Sequence, residues 1–159
     1  ISMEGNKNHM LLAISKAEEN ILTGKGGPFG AVVVRDGKII AAVGNRVTST
    51  NDPTAHAEVV AIREACKSLD TFDLSGCEIY ASCEPCPMCL GAIMWARIDK
   101  LYYAADRTDA AMAGFDDELF YTDLALPADK RIMKPVQLLQ KEANHVFDKW
   151  IEDGNKIPY

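Results

Sequence analysis

The sequence predicts an α/β fold with three layers, in which one mixed β-sheet has helices on both of its faces. The chain has 159 residues, the usual size of one domain. Segments with helical spacing of apolar residues alternate with short runs of β-branched residues. Strand–helix–strand units require parallel pairing, whereas a hairpin requires antiparallel pairing. Because no repeat or linker interrupts this pattern, we expect residues 1–159 to form a single domain.

The N-terminal third predicts a helix followed by a β-hairpin. Apolar residues recur at helical spacing from Met10 to Ile21, and Gly24 is expected to end the helix. Residues 29–34 and 39–43 are rich in β-branched and other apolar residues. The dipeptide Asp36-Gly37 between them is typical of a tight hairpin turn.

The rest of the chain predicts three further strands and four further helices. Residues 45–53 are polar and predict a loop, after which Pro53 and an alanine-rich segment indicate a helix from about Thr54. Pro87 is compatible with the first turn of a later helix. The remaining elements are predicted as a strand at 77–81, a helix from about 85 to 96, a strand at 100–105, a helix at 108–114, a weaker strand at 136–139 and a helix at 144–152.

Charge and cysteine content favour a small-molecule partner in the cytoplasm. There are 17 basic and 23 acidic residues, which gives a net charge of −6. This balance is unfavourable for duplex DNA or long RNA, which favour a basic face, but it leaves a small local basic patch open. Five cysteines disfavour a fully paired disulfide framework. We expect no signal peptide and no membrane-spanning segment, so the thiols should be free or bound to metal.

Two short segments together predict a catalytic zinc site. They are His56-Ala57-Glu58 and Pro85-Cys86-Pro87-Met88-Cys89. Cys86 and Cys89 share one face of a helical turn, and an imidazole with two thiolates is a common zinc ligand set. Three protein ligands leave a fourth position for an activated water, as in catalytic sites. Both segments are expected at helix N-termini, whose partial positive charge favours thiolates.

Glu58 is the expected general base. It lies about 200° around a helix from His56, so it is not expected to ligate the metal beside it. A carboxylate facing the activated water can take its proton and give it to a leaving amine. Cys83 and Cys86 form an overlapping pair, but Pro85 precedes Cys86, as the H-x-E and P-C-x-x-C signature of zinc nucleobase deaminases requires. Cys83 is therefore expected beside the ligands or in a structural role.

These residues resemble the cytidine deaminase-like superfamily, and within it the guanine deaminases. The similarity runs from the Gly26-Gly27-Pro28-Phe29-Gly30 segment to the end of the chain, with matching blocks at 51–58 and 82–89. Those two blocks are shared with tRNA adenosine deaminases. The segment Ala113-Gly114-Phe115-Asp116-Asp117 and the terminal Tyr159 resemble the guanine deaminase pattern more specifically.

The resemblance implies a five-stranded sheet, one zinc ion per chain, and a homodimer whose C-terminal segment, about 140–159, can swap to cover the partner's site. It also implies deamination of guanine to xanthine and ammonia in purine metabolism. Asp117, or less favourably Asp116, would bind the N1–H and N2 edge of the base and assist proton transfer, since a carboxylate accepts both donors. The substrate-binding residues implied are Phe29, Asn45, Ala57, Trp95, Asp117 and Tyr159.

Each of these residues also has a structural interpretation. Phe29 and Trp95 could be core aromatics, Asn45 a turn residue, and Asp116-Asp117 a helix cap. Tyr159 could be an ordinary chain terminus. Three other functions remain open from the sequence: a tRNA adenosine deaminase, a guanosine or cytosine deaminase, and a non-catalytic zinc module with Cys83 as the fourth ligand.

Overall fold

A mixed β-sheet forms the centre of the first part of the chain in the computed structural model, which describes residues 5–159. Its strands are β1 (Gly30–Arg35), β2 (Lys38–Gly44), β3 (Cys77–Cys83) and β4 (Lys100–Ala105), in the order β2-β1-β3-β4. β1 pairs antiparallel with β2 and β3, whereas β3 and β4 are parallel. The predicted mixed sheet is therefore confirmed.

Helices cover both faces of this sheet, as predicted. Five helices belong to this part of the chain: α1 (Lys7–Thr23), α2 (Val47–Thr50), α3 (Ala57–Leu69), α4 (Pro87–Trp95) and α5 (Arg107–Met112). Val32 and Val34 of β1 pack with Ala13 of α1, whereas Ala31 and Val33 belong to the core formed with α3 and α4. Residues 30–34 of β1 carry no polar side chain, which fits their burial on both faces, and only the final residue, Arg35, is exposed.

Local sequence signals set most of the element boundaries. The Asn6 side chain accepts hydrogen bonds from the first turn of α1, and Gly24 ends that helix in the left-handed conformation. Asp36 and Gly37 both have positive φ, as a tight hairpin turn requires. α3 begins at Ala57 rather than near Thr54, because the Asp52 carboxylate binds the Thr54 amide in a local turn.

The predicted strand at 136–139 is wrong. Within residues 5–159 the sheet has four strands, and this segment is not one of them. Val136 and Leu138 are each 79% exposed, and Leu139 has a φ of 56°, which is incompatible with an extended strand. Pro135 also lacks the N–H that a strand ladder would use.

The contacts divide the chain after Glu118 into two compact units. The second unit, Leu119–Tyr159, contains most of α6 (Glu118–Leu124), a 3-10 turn (Ala128–Lys130) and α7 (Gln140–Glu152). The sequence missed α2, α6 and the first turn of α7. None of the described residues of this unit is buried. Among the described residues, no helix is long and apolar enough to cross a membrane.

Candidate active site

Two helix N-termini bring the three predicted metal ligands together. His56 is the N-cap of α3, Cys86 is the N-cap of α4, and Cys89 lies in the first turn of α4. The His56 Nδ1 atom is 3.6 Å from Cys86 Sγ and 3.4 Å from Cys89 Sγ. The three ligand atoms lie within 4.8 Å of one another. Cys83 is not part of this group, and its thiol instead faces the Asp106 carbonyl at 3.7 Å.

These distances fit a tetrahedral zinc ion. Ligands about 2.0 Å (nitrogen) and about 2.3 Å (sulfur) from zinc, at tetrahedral angles, lie about 3.5 Å apart. The measured nitrogen–sulfur distances of 3.6 and 3.4 Å agree with that value. One imidazole and two thiolates also match the preference of zinc for nitrogen and sulfur ligands. The residues present therefore fit the zinc that the sequence predicts.

The electrostatics of the ligand group favour a thiolate at Cys86. Hydrogen bonds from Cys89 and His56 lower the pKa of Cys86 to about 4. The hydrogen bond with Cys86 and burial raise the pKa of Cys89. A separate hydrogen bond, between His56 and Cys86, raises the pKa of His56. The helix N-termini carrying these side chains add a partial positive charge that stabilises bound anions.

Glu58 occupies the buried wall of the metal group. It lies in the first turn of α3 and is only 6% exposed, and its carboxyl group interacts with the Cys89 thiol. Burial raises the pKa of Glu58, which is the direction expected of a group that takes up and gives back a proton. The 200° angle used for Glu58 assumed that His56 is helical. His56 is instead an extended N-cap residue, but Glu58 still points into the same cluster.

Asp117 and Asp116 have different surroundings. Burial, and then the negative charge of Cys86, raise the pKa of Asp117, and Asp117 in turn contributes to the raised pKa of His56. Asp117 is therefore electrostatically coupled to the metal group. The Asp116 carboxylate accepts the Glu118 amide at 3.0 Å and is exposed, so Asp116 takes the helix-cap role.

Asn45 is buried, and its side-chain orientation is fixed by backbone amides. Its Oδ1 accepts hydrogen bonds from the amides of Val47 at 2.9 Å and Gly27 at 3.2 Å. Within residues 5–159, Nδ2 of Asn45 has no hydrogen-bond partner. Gly26 lies directly against Asn45, since a Cβ there would be 2.0 Å from the Asn45 carbonyl oxygen. The available polar group of Asn45 is thus a donor.

Phe29 forms part of an aromatic pair beside this loop. Its ring packs edge-to-face against Phe115, with 4.9 Å between the ring centroids. A cavity of about 380 Å³ borders both rings, and its other lining residues include Ser82, Cys83 and Asp109. None of the three metal ligands lines this cavity.

The structure places the remaining predicted substrate residues in different settings. Ala57 is fully buried as the first residue of α3. Trp95 ends α4, is 64% exposed and has the Arg97 guanidinium 5.8 Å from its ring, so it is not a core residue. Tyr159 is 78% exposed in the second unit.

Sequence reasoning missed Asn20. This side chain is buried, and it donates hydrogen bonds from Nδ2 to the carbonyls of Gly27 and Asn45. The signal was present in the sequence, because Asn20 falls in phase with Ala13 and Ala17 on the buried face of α1. A polar residue on an apolar helix face needs a hydrogen-bond partner elsewhere in the fold.

Comparisons with known proteins agree with this geometry. Residues 3–105 match the family model for the cytidine and deoxycytidylate deaminase zinc-binding region. The chain is 52% identical to guanine deaminase of Bacillus subtilis (strain 168) over 147 residues, 92% of this chain and 94% of that protein. It is 42% identical to the tRNA-specific adenosine deaminase of Aquifex aeolicus over 64% of this chain and 66% of that protein.

A solved structure extends the likeness to almost the whole chain. The X-ray structure of guanine deaminase from Bacillus subtilis superimposes with a TM-score of 0.94 and 50% identity, and the match covers 98% of this chain and 99% of that chain. Together with the ligand geometry, these matches assign the fold and the metal chemistry. The chain belongs to the zinc-binding cytidine and deoxycytidylate deaminase family.

Proposed function

We propose that this protein is a guanine deaminase, which hydrolyses guanine to xanthine and ammonia. The observation that carries the proposal is the extent of the match. The likeness to the Bacillus subtilis guanine deaminase includes the second unit, with 98% of this chain covered, whereas the match to the Aquifex aeolicus tRNA deaminase covers 64%. Because the zinc ligands are common to the family, substrate specificity must depend on other residues of the chain.

The chain's own residues suit this reaction. His56, Cys86 and Cys89 would hold zinc, which when bound supplies Lewis-acid activation of water at neutral pH. Glu58, buried and with a raised pKa, would take a proton from the attacking water and transfer it to the departing amine. Water adds oxygen at C2 of the base, and the C2–N bond breaks to release ammonia.

Base recognition would use donors and acceptors that complement guanine. Asp117 would accept the N1–H and N2 amino hydrogens, a role that its charge interactions with Cys86 and His56 support. Asn45 would donate from Nδ2 to a ring acceptor, since its Oδ1 already has two donors. Ala57 would contribute its backbone N–H, because amides in the first turn of a helix lack intrahelical partners.

Phe29 would stack on the purine, and the roles of Trp95 and Tyr159 in substrate binding remain predictions. The Phe29 ring is already held edge-on by Phe115, which would limit its movement. Trp95 lies at the far end of α4 from Cys86, so it fits a wall of the site less well. Tyr159 would act from a swapped C-terminal segment.

We further propose a homodimer in which residues of about 140–159 cover the partner's site. The four apolar residues Val146, Phe147, Trp150 and Ile151 recur at helical spacing along α7 and are all exposed, between 42% and 66%. This apolar exposure on one helix supports the proposal, because a partner would remove these side chains from water.

We place the activity in the cytoplasm, within purine catabolism or salvage. All five cysteines are free, which suits a reducing compartment.

Ammonia release from the zinc-loaded protein tests the function. Guanine, guanosine, adenine, cytosine, cytidine and a tRNA anticodon stem-loop are compared at equal concentration. The proposal expects turnover of guanine above all others. Turnover of the stem-loop, or of cytosine instead of guanine, would overturn the assignment of the pocket.

A further inference from the structure

Asn20 links the last turn of α1 to the loop and strand end that form the base-binding wall. It is 6% exposed, and both hydrogens of its side-chain amide are used. Nδ2 donates to the Gly27 carbonyl at 2.9 Å and to the Asn45 carbonyl at 2.8 Å. A single amide group therefore bridges the loop before β1 and the residue that follows β2.

The packing around Asn20 leaves little freedom for this bridge. A Cβ on Gly44 would lie 2.7 to 2.8 Å from the Asn20 side-chain atoms, so the amide rests flat against the Gly44 backbone. The Gly24 amide donates to the Asn20 carbonyl at 2.8 Å and ends the helix there. The side chain is thus fixed by its own helix end and by the strand end it contacts.

The two partners of Asn20 also orient the Asn45 side chain. Gly27, whose carbonyl accepts from Asn20, donates its own amide to Asn45 Oδ1 at 3.2 Å. The second Asn20 hydrogen is donated to the carbonyl of Asn45 itself, which fixes the backbone to which the Asn45 side chain is attached. Asn20, Gly27 and Asn45 therefore form a closed ring of contacts that leaves Asn45 Nδ2 as the available donor.

We propose that Asn20 is a positioning residue for base binding, which holds Gly27 and Asn45 so that Asn45 Nδ2 faces the purine. The inference rests on the proposed guanine deaminase function, although the positioning itself is a property of the free protein. Without Asn20, the Asn45 carbonyl loses its donor and the Gly27 carbonyl keeps only the Phe29 amide, so the Gly27 amide is held less firmly against Asn45 Oδ1. Asn45 then samples other orientations, and base binding weakens.

The kinetic test combines Asn20→Ala with Asn45→Ala in a double-mutant cycle. We expect Asn20→Ala to raise KM for guanine about tenfold and to change kcat less than about twofold, because the lost contact binds ground state and transition state alike. In the Asn45→Ala background the same change should alter KM less than about twofold. The fall in Tm should be similar in both backgrounds, since the Asn45 backbone carbonyl is still present.

Tyr80→Phe is the matched control. The Tyr80 hydroxyl accepts the Asn6 amide at 2.9 Å and donates to Glu78 at 3.1 Å, so it holds the other end of α1. This variant should lower Tm and leave KM for guanine unchanged. If Asn20→Ala does not fold, Asn20→Gln retains both N–H donors one methylene further out. It should raise KM by less than tenfold, and only when Asn45 is present.

Two kinetic results would overturn the proposal: an unchanged KM in Asn20→Ala, or an equal increase in KM in the Asn45→Ala background. Amide hydrogen exchange by NMR decides the question separately from the reaction. Exchange of the Gly27 and Val47 amides should accelerate at least about tenfold in Asn20→Ala and not in Tyr80→Phe. If the wild type releases no ammonia from guanine, the proposed function fails, and the exchange rates alone decide the role of Asn20. Unchanged exchange in Asn20→Ala would contradict that role.

Discussion

Replacing Glu58 by glutamine tests the proton-transfer role most directly. Glutamine keeps the shape of the side chain and one carbonyl oxygen, but it cannot take a proton near neutral pH. The buried position of Glu58 means that water cannot easily substitute for the carboxylate, since only 6% of the residue is exposed. Glu58→Gln therefore isolates the proton transfer from the packing around the metal group.

The magnitude follows from the two proton transfers assigned to this carboxyl group. General acid–base catalysis contributes about 10²- to 10⁴-fold to a rate. We expect kcat of Glu58→Gln to fall by about 10³-fold, which corresponds to about 4 kcal/mol in activation free energy. The free energy of unfolding should change by less than about 1 kcal/mol, because the amide can retain a hydrogen bond with Cys89.

The assay measures ammonia release from guanine together with zinc content by elemental analysis. Zinc should remain near one ion per chain, since His56, Cys86 and Cys89 are unchanged. Glu64→Gln is the control on the same helix. Glu64 forms an exposed ion pair with Arg46 at 3.1 Å, a contact worth about 0–1 kcal/mol, so its loss should leave kcat within about twofold. If zinc-loaded Glu58→Gln keeps more than about a tenth of wild-type kcat, the assignment of Glu58 is wrong.

Three further predictions concern the base, the metal and the second unit. Asp117→Asn should lower kcat/KM for guanine about 10²-fold through two lost charge-assisted hydrogen bonds, whereas Asp116→Asn should stay within about twofold because asparagine also caps a helix. A comparable loss in both variants would contradict the separation of their roles. Cys86→Ser should lose most of its zinc, have a lower Tm and release no ammonia, while Cys83→Ser should retain the metal. Elemental analysis and thermal denaturation distinguish the two variants. Loss of zinc from Cys83→Ser would show that Cys83 is a ligand and contradict the ligand set His56, Cys86 and Cys89. Phe147→Asp, a charge on the exposed apolar face of α7, should convert a dimer to a monomer in light scattering after size exclusion. An unchanged mass would argue against the proposed interface.

Elements with local signals could be predicted from the amino-acid sequence. Asp36-Gly37 predicted the hairpin turn because the positive φ values it requires are accessible to those two residues. His56, Cys86 and Cys89 were identified from a short local signature, in which the spacing gives two possible cysteine pairs and Pro85 distinguishes Cys86 and Cys89 from Cys83 and Cys86.

Contacts between polar groups that are distant in sequence depend on long-range packing and could not be predicted from local patterns. From the sequence, Asn45 could equally have been a turn residue. Its Oδ1 is occupied by amides from two separate segments, so only its Nδ2 is available as a hydrogen-bond donor. Asp116 and Asp117 are adjacent in sequence but differ in burial, which no local pattern reports. The prediction of a strand at 136–139 was wrong because a strand forms only where a neighbouring strand pairs with it. Whether such a neighbour is available depends on the rest of the fold and not on the segment's own sequence. Local chemistry therefore determined the ligands and turns of this protein, whereas long-range packing decided how the side chains of the site are oriented.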